Sequence, residues 1–356
     1  MKSIIGNRRA GVARARLKTP PAIPLVRGWR LIFLLLFVAV TAAGYYVWHA
    51  YKRPLDMPAE RVEVRIAAGS SARAIARQLQ QVGVGIDAEA FVVAARATGA
   101  TQSLRAGRYE VARGMNLLAL VDKLRRGDVL RERVTIVEGS TFAEMRATLA
   151  AHPELRKDTA NMSDAELLRA VGAEESHPEG LFAPETYVFD TGSSDLDVLR
   201  QAYRAQRAVL QQAWENRAEG LPYRTAYEAL IMASIVEKET GAADERARIA
   251  GVFVNRLQKG MLLQTDPTVI YGLGPKFDGN LHKRDLTTDT PYNTYTRGGL
   301  PPTPIALPSR ASITAALKPE ETRALYFVSR GDGTSEFSET LTDHNRAVGK
   351  YQLGAR

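Results

Sequence analysis

One run of residues constrains this chain before any other. In "LIFLLLFVAVTAAGYYVWHA", Leu31 to Ala50, no side chain from Leu31 to Trp48 is charged. A helix rises 1.5 Å per residue, so about 20 residues cover the roughly 30 Å hydrocarbon core of a bilayer. Tyr45, Tyr46 and Trp48 stand where an interfacial aromatic belt would lie. The preceding residues 1–30 carry eight basic side chains and no acidic one. Such a flank keeps its own side cytoplasmic and exports the chain beyond the span. A buried core helix and a cleaved signal peptide are the alternatives, with Thr41-Ala42-Ala43 as the cleavage site of the latter. The apolar run continues past that point and the basic region is long, which favours an uncleaved anchor. The expectation is a basic cytoplasmic tail (1–30), a single-pass transmembrane helix (31–50) and an exported body.

The formal charge of +9 would suggest a nucleic-acid partner if it were spread over that body. It is not. Removing the eight tail residues from the 48 Lys and Arg leaves 40 basic against 39 acidic residues. A near-neutral body offers no electrostatic footprint, so no nucleic acid is expected. The chain has no cysteine, which excludes disulfides and thiolate chemistry. His49, His152, His177, His282 and His344 show no ligand spacing, there is no P-loop, and Gly272-Leu273-Gly274 is an isolated G-x-G. Neither a metal nor a cofactor is expected. Ser234 has no glycine elbow around it and is not a candidate nucleophile.

Beyond a short proline-containing linker (51–59), residues 60–128 have the pattern of a small module. Val62, Val64 and Ile66 alternate as in a strand, and Gly69-Ser70-Ser71 opens a helix with Ile75 and Leu79 on one face. A second helix spans Ala88–Ala97, Arg108–Val111 is strand-like, and Leu117–Leu124 is helical. The strand–helix–helix–strand order resembles the LysM-like sugar-binding module. Many small α+β units share that order, so sugar binding and a plain spacer both remain open.

From 129 to 356 the pattern is that of a larger α+β domain. "RERVTIVEGSTFAEM" reads as a strand, a turn at Glu138-Gly139, and a helix starting at Ser140 or Thr141. "HPEGLFAPETYVFD" is a loop feeding a strand, Gln201–Arg217 is helical, and Glu245–Lys259 is a helix stopped by Gly260. Residues 291–308 hold five of the 17 prolines together with "YNTY", the mark of an ordered loop. Two strand-like runs flank Asp332-Gly333, and a hairpin turn accounts for the Arg330–Asp332 "RGD" without an adhesion role.

"IMASIVEKETG", Ile231 to Gly241, ends a helix with Glu237 and Glu239 two positions apart. At 100° per residue from Ile235, Met232 falls at about +60°, Val236 at about +100° and Glu239 at about +40°. Glu239 thus lies within an apolar stripe, while Glu237 falls at about 200°, on the opposite side. A carboxyl group among Ile, Met and Val has its pKa raised by desolvation and can hold a proton near neutral pH. Glu237 is expected in water or paired with Arg246 or Arg248. The bland alternative for Glu239 is a partly exposed helix-end residue.

"MASIVEKETG", "RARIAGVFVNRLQKGMLLQTDPTVIYGLG" and "TPYNTYTRGGLPPTPIALPS" succeed one another in an order and spacing that closely resemble the endolytic murein transglycosylase family. "VEGSTF" and "EGLFAPETY" belong to the same resemblance, which spans 131–353. It implies a bacterial inner-membrane enzyme with its catalytic domain in the periplasm. The reaction implied is cleavage of the MurNAc–GlcNAc β-1,4 bond of nascent glycan strands to leave 1,6-anhydro-MurNAc ends, terminating strand elongation. Peptidoglycan strands are the implied substrate, and peptidoglycan synthases are candidate partners. The second glutamate of "VEKE", Glu239, takes the place of the family's catalytic acid. Gln264, Thr265, Asp266 and Thr268 in "LQTDPT", with Tyr292, Asn293 and Tyr295 in "PYNTY", offer groups suited to N-acetyl sugars. Alternatives stay open: Asp266-Pro267 as a helix N-cap, and the two tyrosines as packing. A hydrolase normally needs two carboxylates about 5–9.5 Å apart; attack by the muramic C6 hydroxyl does not. The competing readings are a non-catalytic glycan-binding scaffold and a lysozyme-type hydrolase.

Overall fold

A computed structural model of the chain describes residues 25–239 and 242–354, without the side chains at 25–28, 43, 46, 47 and 50. The architecture is α+β, rich in helix, with three two-stranded sheets among the described residues. It divides into two compact units.

Among the described residues, the first unit comprises 25–62, 71–104 and 111–126. It holds helices α1 (Leu25–Lys52), α2 (Ala72–Gln81), α3 (Ala88–Ala97) and α4 (Leu117–Arg126). The Ser71 hydroxyl accepts the Ala74 N–H and the Asp87 carboxylate that of Ala90, so each caps the helix it precedes. Ile75 and Leu79 of α2 are buried, as their spacing predicts, and α2 packs on α3. The expected span 31–50 lies inside α1. Nine of its apolar side chains between Leu31 and Val40 are exposed, each over 53–66% of its surface. Among the described residues no helix is long and apolar enough to cross a membrane. Tyr46 of the expected aromatic belt, the side chains at 43, 47 and 50, and the basic tail through residue 24 lie outside the described set.

Among the described residues, the second unit comprises 63–70, 105–110, 127–239 and 242–354. Strand β1 (Arg61–Ile66) pairs with β2 (Gly107–Ala112), and the greater part of both groups with this unit. Strands β3 (Arg131–Thr135) and β4 (Thr186–Asp190) are antiparallel, with Arg131 opposite Asp190 and Thr135 opposite Thr186. Helix α5 (Phe142–Ala151) starts at Thr141, which closes a capping box with Glu144. Helix α6 (Asp164–Val171) is next. Helix α7 (Asp195–Glu215) begins ahead of the expected Gln201 because Ser194 caps it, accepting from the Leu196 N–H. Then come α8 (Ala226–Glu239), α9 (Arg246–Gln258), α10 (Asp266–Leu273), α11 (Lys283–Thr287) and α12 (Arg310–Leu317). The expected hairpin is present as β5 (Tyr326–Ser329) and β6 (Ser335–Ser338), and α13 (Leu341–Val348) packs against it.

Helix α8 is the axis of this unit. It touches α7, α9, α10 and α12, and every residue from Ala229 to Val236 is buried. The proline-rich segment after Tyr295 also runs inside the protein: Thr303 to Ser309 are all buried. A buried loop must find partners for its backbone groups. Ile305 N–H donates to Ser234 Oγ (3.0 Å), Leu307 N–H to Ser140 O (2.7 Å), and Gln206 Nε2 to Pro308 O (3.0 Å). Gly180 lets this loop approach. Its φ is +80°, and a Cβ there would sit 2.5 Å from Pro304 Cβ.

Candidate active site

Because α8 is covered on all sides, helical phase alone does not separate its last two glutamates. Their partners do. Glu237 Oε2 accepts the backbone N–H of Ser309 (2.8 Å) and its hydroxyl (2.5 Å), while Ser309 Oγ accepts the Ser312 N–H and so caps α12. This corrects the expectation of water or of Arg246 and Arg248: Glu237 is a half-buried bracket between α8 and α12.

Glu239, also half-buried, points into a cleft of about 550 Å³. Arg256, Gln264, Asp266, Tyr295, Tyr326 and His344 are among its walls. Burial pushes the Glu239 carboxyl up to about 7, with the charge of Asp266 acting the same way. A hydrogen bond from Thr265 Oγ1 to Glu239 Oε1 and the positive charge of Arg256 act against that rise. Its place as the last residue of α8, at the negative end of the helix dipole, favours the protonated form as well. The result is a carboxylic acid that exchanges its proton near neutral pH.

The segment 264–266 is shaped for this contact. Gln264 has φ +51°, the only positive φ outside glycine among the described residues. Such a backbone is sparsely populated, and surrounding bonds must hold it. Gln264 N–H donates to Thr294 O (3.1 Å) and Thr265 N–H to Thr294 Oγ1 (3.1 Å). Thr268 Oγ1 joins the same buried cluster, donating to Thr265 O at 2.8 Å and lying 2.9 Å from Thr294 Oγ1. Thr265, only 2% exposed, is therefore locked with its hydroxyl on Glu239. It is the N-cap residue of α10, and Asp266 is the first residue of that helix rather than its cap.

Asp266 Oδ1 accepts the Tyr295 hydroxyl (2.5 Å), which sets both side chains at the cleft wall. Asn293 is fully buried. Its Nδ2 donates to the carbonyls of Asp285, Leu286 and Thr288, and its Oδ1 accepts the Tyr295 N–H (2.9 Å). Its amide is thus taken up in holding the loop that presents Tyr295. Tyr292 packs edge-on to Tyr271 (5.0 Å between centroids) and shares a hydrogen bond with Thr303 Oγ1 (2.9 Å). Of the sequence-predicted residues, Glu239, Gln264, Asp266 and Tyr295 line one cleft and Thr265 holds the acid. Thr268 and Asn293 support it from behind, whereas Tyr292 packs on Tyr271 and Thr303 and makes no contact with the cleft residues named above.

Three cleft groups escaped sequence reasoning. Arg256 is 8% exposed, and burial pulls its pKa down. Its Nε donates to Leu325 O (2.7 Å) and one Nη to Leu263 O (2.8 Å). Tyr326 stacks on His344 (5.2 Å). Burial, and then the charge of Arg256, lower the His344 pKa and favour the neutral imidazole. A fourth missed group is Glu179 of "HPEGLF", only 3% exposed, which accepts from Phe142 N–H (2.9 Å) and the Tyr271 hydroxyl (3.0 Å). Burial pushes it up to about 7 against those donors. No local pattern in the sequence marks it, since its partners lie 37 and 92 residues away.

The YceG-like family model matches residues 64–350. The endolytic murein transglycosylase of Bacillus subtilis (strain 168) is 33% identical over 323 residues, 85% of this chain and 89% of that protein. The protein of the same name from Streptococcus pneumoniae serotype 2 (strain D39 / NCTC 7466) is 28% identical over 361 residues, covering 90% of this chain and 65% of its own. The crystal structure of a yceG-like protein from Listeria monocytogenes is 33% identical, with a TM-score of 0.51 over 81% of this chain and 99% of that one. Matched over most of its length, this chain belongs to the YceG-like family, the family of the endolytic murein transglycosylases.

Proposed function

We infer that the protein is a lytic transglycosylase acting on peptidoglycan, with Glu239 as its single acid–base group. The observation that carries this is one carboxyl group, desolvated to a pKa of about 7, held by Thr265 in an open cleft. Protonated Glu239 donates its proton to the glycosidic oxygen as the MurNAc C1–O bond breaks. The C6 hydroxyl of the same MurNAc attacks C1, and the Glu239 carboxylate takes that hydroxyl's proton. The products are a free GlcNAc 4-OH and a 1,6-anhydro-MurNAc end. No water is consumed and the acid is regenerated. Asp266, beside Glu239, stabilises positive charge developing at C1, and Gln264 and Tyr295 offer amide and hydroxyl contacts to the sugars.

Asp266 also gives the hydrolase reading its foothold, as a second carboxylate in the same cleft. Product masses separate the two. The lytic reading predicts ends lighter by one water than the reducing ends of a hydrolase, and reducing ends alone would overturn it.

The anchoring and the domain plan belong to the same proposal. The uncharged run Leu31–Trp48 in the sequence, next to a basic flank and with its described apolar side chains exposed, supports a single-pass anchor in the bacterial inner membrane. The basic flank then puts residues 1–30 in the cytoplasm and the cleft in the periplasm. There the acid meets nascent strands beside peptidoglycan synthases and ends their elongation. Residues 60–128, in which two helices lie between the paired strands β1 and β2 along the chain, serve as a LysM-like glycan-holding module ahead of a catalytic domain at 129–356.

A further inference from the structure

A polymer cut in its interior must be held on both sides of the scissile bond. Beside the Glu239 cleft there is a second cavity of about 690 Å³ in the same unit. Helix α10 separates the two. Asp266, on the first turn of α10, faces the acid's cleft, whereas Pro267, Ile270 and Tyr271 line the second cavity. The two spaces meet at the end of α8 on adjacent residues: Glu239 lines one and Lys238 the other. Consecutive helical residues point about 100° apart, so the end of α8 turns Glu239 into one space and Lys238 into the other, and a ligand that continues from the cleft past α8 meets Lys238.

The walls of the second cavity are of two kinds. Pro267, Ile270, Phe277 and Ile305 give it an apolar lining. Three charged side chains reach it: Lys238, Glu144 and Glu179. Both carboxyl groups are engaged by donors of their own wall. Glu144 Oε2 accepts the Thr141 N–H (2.7 Å) and hydroxyl (3.0 Å), and Glu179 accepts from Phe142 and Tyr271. Lys238 is different. Its ammonium donates to Gly139 O (3.2 Å), and among the described residues no carboxylate lies within ion-pair distance of it. An exposed cation with N–H groups to spare, at the mouth of an apolar trough, fits a ligand that carries a carboxylate beside small apolar side chains. A bare sugar ring has no such charge. The peptide attached through the lactyl group of muramic acid does.

We propose that this second cavity binds the carboxylate-bearing stem peptide of the muramoyl residue at the cleavage site, with Lys238 as the anion contact. The enzyme then selects peptide-bearing strands over naked ones. This rests on the transglycosylase reading of Glu239 and deepens it.

The test compares two substrates on the full-length protein: peptide-bearing glycan strands, and the same strands stripped of their peptides by an amidase. The readout is the ratio of kcat/KM values. Lys238→Met is expected to lower the peptide-bearing to naked ratio about twofold to fivefold, in keeping with one solvent-exposed ion pair. Lys238→Arg is expected to retain the ratio. Ile270→Asp, which puts a carboxylate in the trough, lowers it further. A Lys238→Met ratio equal to wild type, or an equal loss on both substrates, would overturn the proposal. The equal loss would mean that Lys238 acts only on the charge of its neighbour Glu239. Failure of the underlying reading looks different: Glu239→Gln would then cleave either substrate at the wild-type rate.

Discussion

The hydrogen bond from Thr265 to Glu239 gives a pH prediction that can be worked from the structure. Thr265 Oγ1 has Glu239 Oε1 as its partner, and the residue is buried, so Thr265→Val removes one donor at nearly constant volume. A hydrogen bond to a charged group contributes about 1.5–3 kcal/mol, against about 0.5–1.5 for a neutral pair. The hydroxyl also donates to the protonated acid, so only the difference, about 1–1.5 kcal/mol, acts on the pKa. At about 1.36 kcal/mol per unit this is roughly one pH unit. The sign depends on which form loses more. Removing the donor disfavours the carboxylate, so the acid form persists to higher pH. Cleavage begins with protonated Glu239, and the alkaline limb of kcat/KM reports the free enzyme's acid. That limb should lie near 7 in the wild type and about one unit higher in Thr265→Val, at a reduced maximal rate because the carboxyl is less well held. Strand cleavage measured across a pH range of about 5–9 checks this. A limb that stays in place or moves down would refute the assignment.

Two further substitutions address the remaining carboxylates. Glu179, raised to about 7 by burial, keeps its proton in the folded state after the unfolded chain has released it. Stability therefore falls as pH rises from about 4.5 to about 7, by a sum on the order of 3 kcal/mol. Glu179→Gln should flatten that fall, seen as a smaller difference between urea midpoints in mildly acidic and mildly alkaline buffer, and identical slopes would count against it. Glu237→Gln should weaken the cap on α12 and lower stability by about 1–2 kcal/mol, with cleavage per folded molecule retained. Loss of cleavage in a fully folded Glu237→Gln protein would show that the acid role had been given to the wrong glutamate.

What the sequence made legible was local. The cap at Thr141, the helices around Ile75 and Ala88–Ala97, the hairpin at Asp332 and the end of α8 all come from patterns within a few residues. Glu239 is legible in the same way, although its helix is buried on every side from Ala229 to Val236 rather than along one stripe. What stayed hidden depends on distant partners. Glu237 is claimed by Ser309, 72 residues on, and Glu179 by Tyr271, 92 residues on. Asn293 has the composition of a sugar contact, but the carbonyls that consume its amide become its neighbours only when the loop closes. The buried course of 303–309 depends likewise on Ser140, Gln206 and Ser234, each contributed by another element. Hydropathy in that proline-rich stretch gives no hint of them.

The role of Glu239 as the proton donor is tested most directly by Glu239→Gln in the full-length protein. An amide keeps the size of the side chain but has no proton to give to the glycosidic oxygen. The variant should fold as stably as the wild type or more so, since a carboxyl held at about 7 by burial opposes folding at neutral pH. It should still bind peptidoglycan strands and release no anhydro-ended fragments above background. Anhydro-ended fragments appearing at the wild-type rate would contradict the central claim.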